Sequence, residues 1–436
     1  MKFPKKAHMP DQSEADPCAR PTIETGFAEL EDGCLLEVIE NPKDPGRNLF
    51  VFWREGRVEY SDQIEHLDQT YAPLQPEEDV SRRIQLPQGV KPYKSTRKLL
   101  DALEVLFARC FTVDPEYMCV LTSFALYTWL ADRLPVAVYL WILGRPSSGK
   151  TTILETLSLV CRSSLFVDNF SRPSFCRVCE RYQATLFIDD LDTYYGPRAR
   201  TLRRWLREGT TRSQPMFGAK VMSSQEPQED LALDSRCIVV PTREVNDCKL
   251  IKPTDPSLES EVREIRMRLL DLRLTMIKEA KLLVVPGAEE LRARDRDLLG
   301  CLAAPLHRNE PRCQELLRFF ESTYNQRMFT GLSPEIAVLG GLYAYVHTKP
   351  YPGVITINLL TRLASSILAD SADRRRLTPR KVGAILTSYG LGYRLRRNTG
   401  YEVAMEEDDN QRLHDLARMY GIGEGMIVGG GSCHYC

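Results

Sequence analysis

Val138-Tyr139-Leu140-Trp141-Ile142-Leu143-Gly144-Arg145-Pro146-Ser147-Ser148-Gly149-Lys150-Thr151 is the stretch on which the fold turns. An apolar run of strand character leads into Gly144, and Gly144–Thr151 spells G-x-x-x-x-G-K-T. Behind it Thr152-Ile153-Leu154-Glu155-Thr156-Leu157 has helical spacing. Strand, glycine-bounded loop and helix in this order make a phosphate cradle. The glycines let the backbone curl so that its N–H groups converge on an anion, and the helix N-terminus adds partial positive charge. In this reading Lys150 reaches the terminal phosphate and the Thr151 hydroxyl ligates Mg²⁺. The nucleotide-contacting set is then Gly144, Arg145, Pro146, Ser147, Ser148, Gly149, Lys150, Thr151 and Thr152, with ATP and Mg²⁺ as the cofactors.

Working outward, 137–242 alternates short apolar runs with helical segments. The strand candidates are Val138–Leu143, Leu165–Val167, Thr185–Ile188, Lys220–Met222 and Cys237–Val240. That alternation predicts a parallel sheet wrapped by helices. Thr185-Leu186-Phe187-Ile188 ends in Asp189-Asp190. Parallel sheets gather their ligands at the carboxyl ends of their strands, where the phosphate loop also lies. Asp189 is therefore expected beside the metal, and Asp190 beside the attacking water. Ala219–Met222 ends in Ser223-Ser224, either of which could hold that water or the terminal phosphate. Arg236, just before the last strand, reads either as a finger reaching into a neighbouring subunit's nucleotide or as a surface ion pair.

The flanks divide by composition. Residues 1–20 read as a loose polar arm, and 21–92 as a small β-rich domain and its linker. The latter holds strand candidates Cys34–Ile39, Leu49–Trp53 and Val58–Tyr60 and a proline-containing linker, Pro73 to Pro92. Residues 93–136 read as a helical collar with a helix capped by Ser95, its apolar positions including Leu99, Leu103, Val105 and Leu106, and a second helix over Pro115–Arg133. The nucleotide domain spans 137–250. A helical region, 251–332, begins with a helix over Glu259–Leu283. A winged-helix-like unit, 333–420, ends in a hairpin around Asn398-Thr399-Gly400, and 421–436 is a glycine-rich tail.

At 436 residues, 43% hydrophobic and 27% charged, the chain suits a soluble globular protein of several domains. The net charge of -1 neither favours nor excludes nucleic acid. Thirteen scattered cysteines and an N-terminus without an apolar stretch suit free thiols in the cytoplasm. Val120–Leu143 carries Asp132, Arg133 and Pro135 in its middle, which argues for helix, break and buried strand over a membrane span. Cys176-Arg177-Val178-Cys179 and Cys433-His434-Tyr435-Cys436 have metal-like spacing, but neither comes with a further ligand set in the sequence.

Several of these runs resemble a known family. Tyr127-Thr128-Trp129-Leu130-Ala131-Asp132-Arg133 followed by Tyr139–Gly144 looks like the lead-in of primase-helicase ATPases of phages, plasmids and integrated elements. These are AAA+ P-loop proteins close to the superfamily III helicases. Leu206–Arg212, Phe217–Val221, Ser235-Arg236-Cys237-Ile238, Arg294–Leu299 and Gly400-Tyr401 continue the likeness, which spans roughly residues 30 to 425. The resemblance implies an α/β AAA+ core with a five-stranded parallel sheet. It also implies a ring, hexameric, that moves on single-stranded or forked DNA during replication of a mobile element, in company with replication proteins, with Arg236 as the finger in trans. Two departures stand out: the short N-terminal domain shows no primase acids, so no primase activity is expected, and serines stand at the sensor position where many relatives carry Asn.

DNA contacts are expected from Arg212 and Lys220 on a pore-facing loop, and from Arg380, Lys381, Arg396 and Arg397 on the C-terminal helix and wing. Arg200, Arg203, Arg204 and Arg207 share one helix face, which reads equally as a solvated stripe. Two functions follow: a DNA-translocating, helicase-like ATPase, or an ATP-gated regulator or adaptor without unwinding activity. A small-molecule kinase comes third, since no acceptor site is evident.

Overall fold

The computed structural model describes residues 21–75, 84–167, 172–191, 196–225, 233, 235–244, 249–306, 311–330, 334–347, 354–369, 377–397, 400–420 and 422. Within helices and strands, the side chains of 172–174, 178, 196–199, 323–330, 393–397, 400 and 419 are not described. The Cys433–Cys436 motif and the arm 1–20 lie outside the described residues. The chain divides into two compact units, Met1–Leu317 and Arg318–Cys436.

Seven strands open the first unit: β1 Thr22–Thr25, β2 Phe27–Glu29, β3 Leu35–Glu40, β4 Asn48–Arg54, β5 Arg57–Ser61, β6 Ile64–His66 and β7 Gln69–Pro73. They form an antiparallel sheet β2-β3-β4-β5 and a three-stranded sheet β1-β7-β6. Of the three expected strands, β3 and β4 are largely buried, whereas β5 has no buried residue. The shorter β1, β2 and β6 carry too little apolar pattern to stand out in the sequence.

Two helices follow, α1 Thr96–Cys110 and α2 Pro115–Thr128. Ser95 caps α1 by accepting from the Lys98 N–H. Leu99, Leu103, Leu106 and Phe107 are buried on its inner face, whereas Val105 is 58% exposed. Position 105 falls off the i, i+3, i+4 stripe that the other four define. The second helix stops at Thr128, a 3₁₀ turn covers Ala131–Arg133, and the strand begins at Tyr139. Among the described residues no helix is long and apolar enough to cross a membrane.

The centre is a five-stranded parallel sheet: β8 Tyr139–Leu143, β9 Leu165–Phe166, β10 Leu186–Ile188, β11 Lys220–Ser224 and β12 Cys237–Pro241. Its order is β12-β8-β11-β10-β9. This is a parallel α/β core in which the strand leading into Gly144–Thr151 lies second from one edge. Helices α3 Lys150–Ser158, α4 Arg172–Tyr182 and α5 Gly196–Glu208 link the strands. Period-2 alternation sends Tyr139, Trp141, Leu186, Ile188 and Met222 into one core with Phe175, Leu202, Trp205 and Leu206. Leu140, Ile142, Phe187 and Val221 are fully buried too, so both faces of the sheet are covered.

After the sheet come α6 Glu259–Met276, α7 Ala293–Ala303 and α8 Pro311–Thr330. The first is shorter than the expected Glu259–Leu283, because a turn at Ile277–Glu279 closes it. The second unit contains α9 Pro334–Val346, β13 Val354–Thr356, α10 Ile357–Ala369, α11 Pro379–Ser388, β14 Tyr393–Arg397, β15 Gly400–Ala404 and α12 Glu407–Tyr420. Its sheet runs β13-β15-β14, all antiparallel. Val338, Leu342, Leu360, Ala364, Val382, Leu386, Val403 and Leu413 fill its core.

Candidate functional site

The phosphate loop leaves β8 at Leu143 and enters α3 at Lys150. Ser147 and Gly149 both adopt positive φ, 62° and 83°, which turns successive backbone N–H groups toward one side. Gly144 is there because nothing larger fits. A Cβ at that position would lie 2.0 Å from Thr242 Oγ1 and 2.6 Å from Ser148 Oγ. Those two hydroxyls are 2.6 Å apart and pin the loop to the end of β12. Lys150 is buried, and its ammonium donates to the carbonyls of Gly144 and Arg145, each at 3.0 Å. The cation therefore sits inside the curl of the loop. Thr152 is half-buried beneath it, while Arg145 and Pro146 are exposed.

The acids meet the loop as strand order requires. Asp189 follows β10, and its Oδ2 accepts from the Thr151 hydroxyl at 2.8 Å. Its Oδ1 accepts from the Ser223 hydroxyl. Asp190 has φ 47°, and its N–H is shared by Ser223 Oγ at 2.9 Å and Asp189 Oδ1 at 3.1 Å. Strand β11 lies between β8 and β10, so its last residues separate the loop from the acids. Ser223 thus faces Asp189 and Asp190. Ser224 turns to the other side and accepts from the Trp141 indole N–H at 2.7 Å.

A cavity of about 510 Å³ opens beside the loop. Ser147, Gly149 and Ile153 line one wall; Phe111 and Thr112 from the end of α1, with Ile251 and Pro253, line the other. Its size is that of a small-molecule pocket. The backbone hydrogen bond from Ile251 N–H to the Arg109 carbonyl, 2.9 Å, holds the far wall together. These residues were not legible as site residues, because they belong to the collar and to the segment after the core. Thr242 was missed for a similar reason.

Other expected positions spread out. Lys220, expected on a pore-facing loop, is instead fully buried at the start of β11, a correction to that reading. Its ammonium donates to the carbonyls of Met216 and Gly218, both at 2.9 Å, and lies 4.8 Å from the centre of the Tyr139 ring. Strand alternation directs it into the core, and burial pushes its pKa down to about 8. Arg212 is exposed and donates to the Arg133 carbonyl at 3.0 Å. Arg200 and Arg204 are exposed, and Arg203 and Arg207 half-buried. Arg236 is half-buried at the foot of β12, its Nε 3.3 Å from Thr210 Oγ1. Arg380 and Lys381 are exposed in the first turn of α11. The side chains of Arg396 and Arg397 lie outside the described residues. Cys176 is half-buried and Cys179 buried in the core beneath the sheet.

No family model matches this chain, and no curated protein matches it. Among solved structures, it is similar to an apo form of the NrS-1 C-terminal region at 14% identity and TM-score 0.33, covering 85% of this chain and 96% of that one. It is similar to Cdc6p from Pyrobaculum aerophilum at 12% identity and TM-score 0.22, covering 75% and 98%. An inhibitor-bound JCV helicase matches at 15% identity and TM-score 0.25, covering 53% of this chain and 62% of that one.

Proposed function

We propose that this chain is an ATP-hydrolysing motor of the helicase-like kind, acting on DNA as a ring. The observation that carries the hydrolase part is the Thr151–Asp189 contact at 2.8 Å, with Ser223 on the other carboxylate oxygen. A hydroxyl and a carboxylate side by side at a phosphate loop are the hard oxygen donors that Mg²⁺ takes. Thr151 and Asp189 would hold the ion, which supplies charge neutralisation on the phosphate oxygens. Lys150 would leave its two loop carbonyls for the terminal phosphate. Asp190 would take the proton of the attacking water, and Ser223 would fix both acids. The cavity walled by Phe111, Thr112, Ile251 and Pro253 is suited to the base and sugar.

Arg236 supports the ring. It precedes β12, so it stands at the opposite end of the sheet from the loop that follows β8, roughly 15 Å away along five paired residues. It cannot serve its own subunit's nucleotide and would serve a neighbour's. DNA is favoured by the second unit. Its order of helix, strand, two helices and a hairpin is that of a winged helix, with Arg380 and Lys381 exposed at the start of the third helix. The regulator reading rests on the same unit, because winged helices also bind operators and proteins.

The test is ATP hydrolysis by the purified full chain, with and without single-stranded DNA, beside Lys150→Ala. Stimulation of tenfold or more that vanishes in the variant is expected of the motor. Hydrolysis that needs Lys150 but ignores DNA would replace it with the regulator.

A further inference from the structure

The unit Arg318–Cys436 contains two buried histidines that none of the chemistry above uses. His347 directly follows α9, and His414 lies within α12; they are 5% and 2% exposed. Each ring is fixed by its own chain segment. His347 Nδ1 lies 2.7 Å from the Tyr343 carbonyl, and His414 Nδ1 lies 2.6 Å from the Asn410 carbonyl. A carbonyl oxygen that close requires a hydrogen on the nitrogen, so both Nδ1 atoms donate. In a neutral imidazole the lone pair is then on Nε2.

The two Nε2 atoms face each other at 3.4 Å, while the ring centroids are 5.2 Å apart. A point on the axes of both rings consistent with this pair of separations would lie about 2.2 Å from each nitrogen, close to the about 2.0–2.1 Å of a zinc–imidazole bond. The angle at that point is about 100°, near tetrahedral. Two lone pairs converging in this way call for a cation between them. Were it a proton, one ring would be a buried imidazolium. A shared proton would also need a shorter approach than the 3.4 Å between the two nitrogens, since N–H hydrogen bonds span about 2.7–3.2 Å. Tyr343 closes one side, its ring 4.1 Å from His347 and 5.2 Å from His414. One turn before His414, Asn410 Oδ1 is buried with no hydrogen-bond partner among the described residues.

We propose that His347 and His414 are the two imidazole ligands of a divalent metal site of zinc type, which clasps α12 to the end of α9. The Nδ1–H···O=C bonds are the outer-sphere contacts that such ligands use to fix tautomer and aim. A borderline-soft cation fits two neutral nitrogens, and Mg²⁺ or Ca²⁺ does not.

The experiment is zinc K-edge X-ray absorption on the full chain loaded with one equivalent of Zn²⁺, beside His414→Gln, with affinity read by competition against a chelating dye. Scattering from two imidazole rings is expected, lost in the variant together with at least a tenfold fall in affinity. A sulfur-only shell from the thirteen cysteines, a two-imidazole signal that survives in His414→Gln, or no binding at micromolar zinc would overturn the proposal. Should His414→Gln fail to fold by circular dichroism, the wild-type spectrum still decides between two imidazoles and sulfur.

Discussion

Ser223 and Ser224 are adjacent on β11 and differ only in the face of the sheet they take. Ser223 touches both acids; Ser224 serves the buried Trp141 indole. Ser223→Ala is expected to lower kcat by about ten- to a hundredfold with KM for ATP little changed, because it loosens groups that act on the attacking water. Ser224→Ala should act on stability instead. It leaves a buried indole N–H unpaired, for a loss of about 1–3 kcal/mol in urea unfolding. If the two variants exchanged these phenotypes, the assignment of Ser223 to the site would be wrong.

At the scale of an element, the segment from Thr210 to Ala219 is held in place by its own last neighbour. The Lys220 ammonium ties the Met216 and Gly218 carbonyls to the start of β11. Gly209 leaves room for this, since a Cβ there would lie 2.4 Å from the Met216 carbonyl and 3.0 Å from Nζ. The pH dependence follows from the lowered pKa. Between about 8 in the folded chain and the ordinary 10.5, the unfolded state binds more protons, so stability rises with pH across that window. Lys220→Met should remove that rise, at most about 3 kcal/mol, when unfolding midpoints of the two proteins are compared from pH 8 to 10. Hydrogen exchange in 210–219 should also quicken in the variant. Equal pH profiles would show that Lys220 is not the titrating group.

Across the first unit, a buried ionic network joins elements far apart in sequence. Arg273 of α6 is fully buried and donates to Glu37 of β3 at 2.8 Å, to Asp132 at 2.7 and 2.9 Å and to the Trp129 carbonyl at 2.6 Å. Arg162, between α3 and β9, donates to the other Glu37 oxygen at 2.8 and 3.0 Å. The small β domain, the collar, the nucleotide core and α6 thus meet at one point. Burial would raise the Asp132 pKa, but the charge and hydrogen bonds of Arg273, with Arg162 and Arg133, hold it well below the usual carboxylate range. Its contribution to stability is present above about pH 4 and is lost as pH falls further. Arg273→Ala removes the partner of Asp132 and of one Glu37 oxygen, for an expected loss of about 3–5 kcal/mol at neutral pH and a flatter acid limb in denaturant titrations. If the chain acts as the proposed ring, Arg236→Ala and Lys150→Ala are each expected to be inactive alone. Mixed, they should recover part of the ATPase rate, because some interfaces then pair an intact loop with an intact arginine. No recovery would remove Arg236 from the active site.

The nucleotide core was legible because its signals are local. A strand, a Gly-x-x-x-x-Gly-Lys-Thr loop and a helix are adjacent in the chain, and Asp189-Asp190 end a short apolar run that reads as a buried strand. These follow from backbone freedom and period alone. The sequence could not tell Ser223 from Ser224, since a one-residue shift exchanges the faces of a strand and only the register with β8 and β10 fixes it. Nor could it place Lys220, whose chemistry suggests solvent and whose strand position dictates burial. The pocket wall at Phe111 and Ile251, the Glu37–Arg273 network and the His347–His414 pair were decided by the tertiary structure. Each joins residues dozens to hundreds of positions apart, and such contacts leave no periodicity behind.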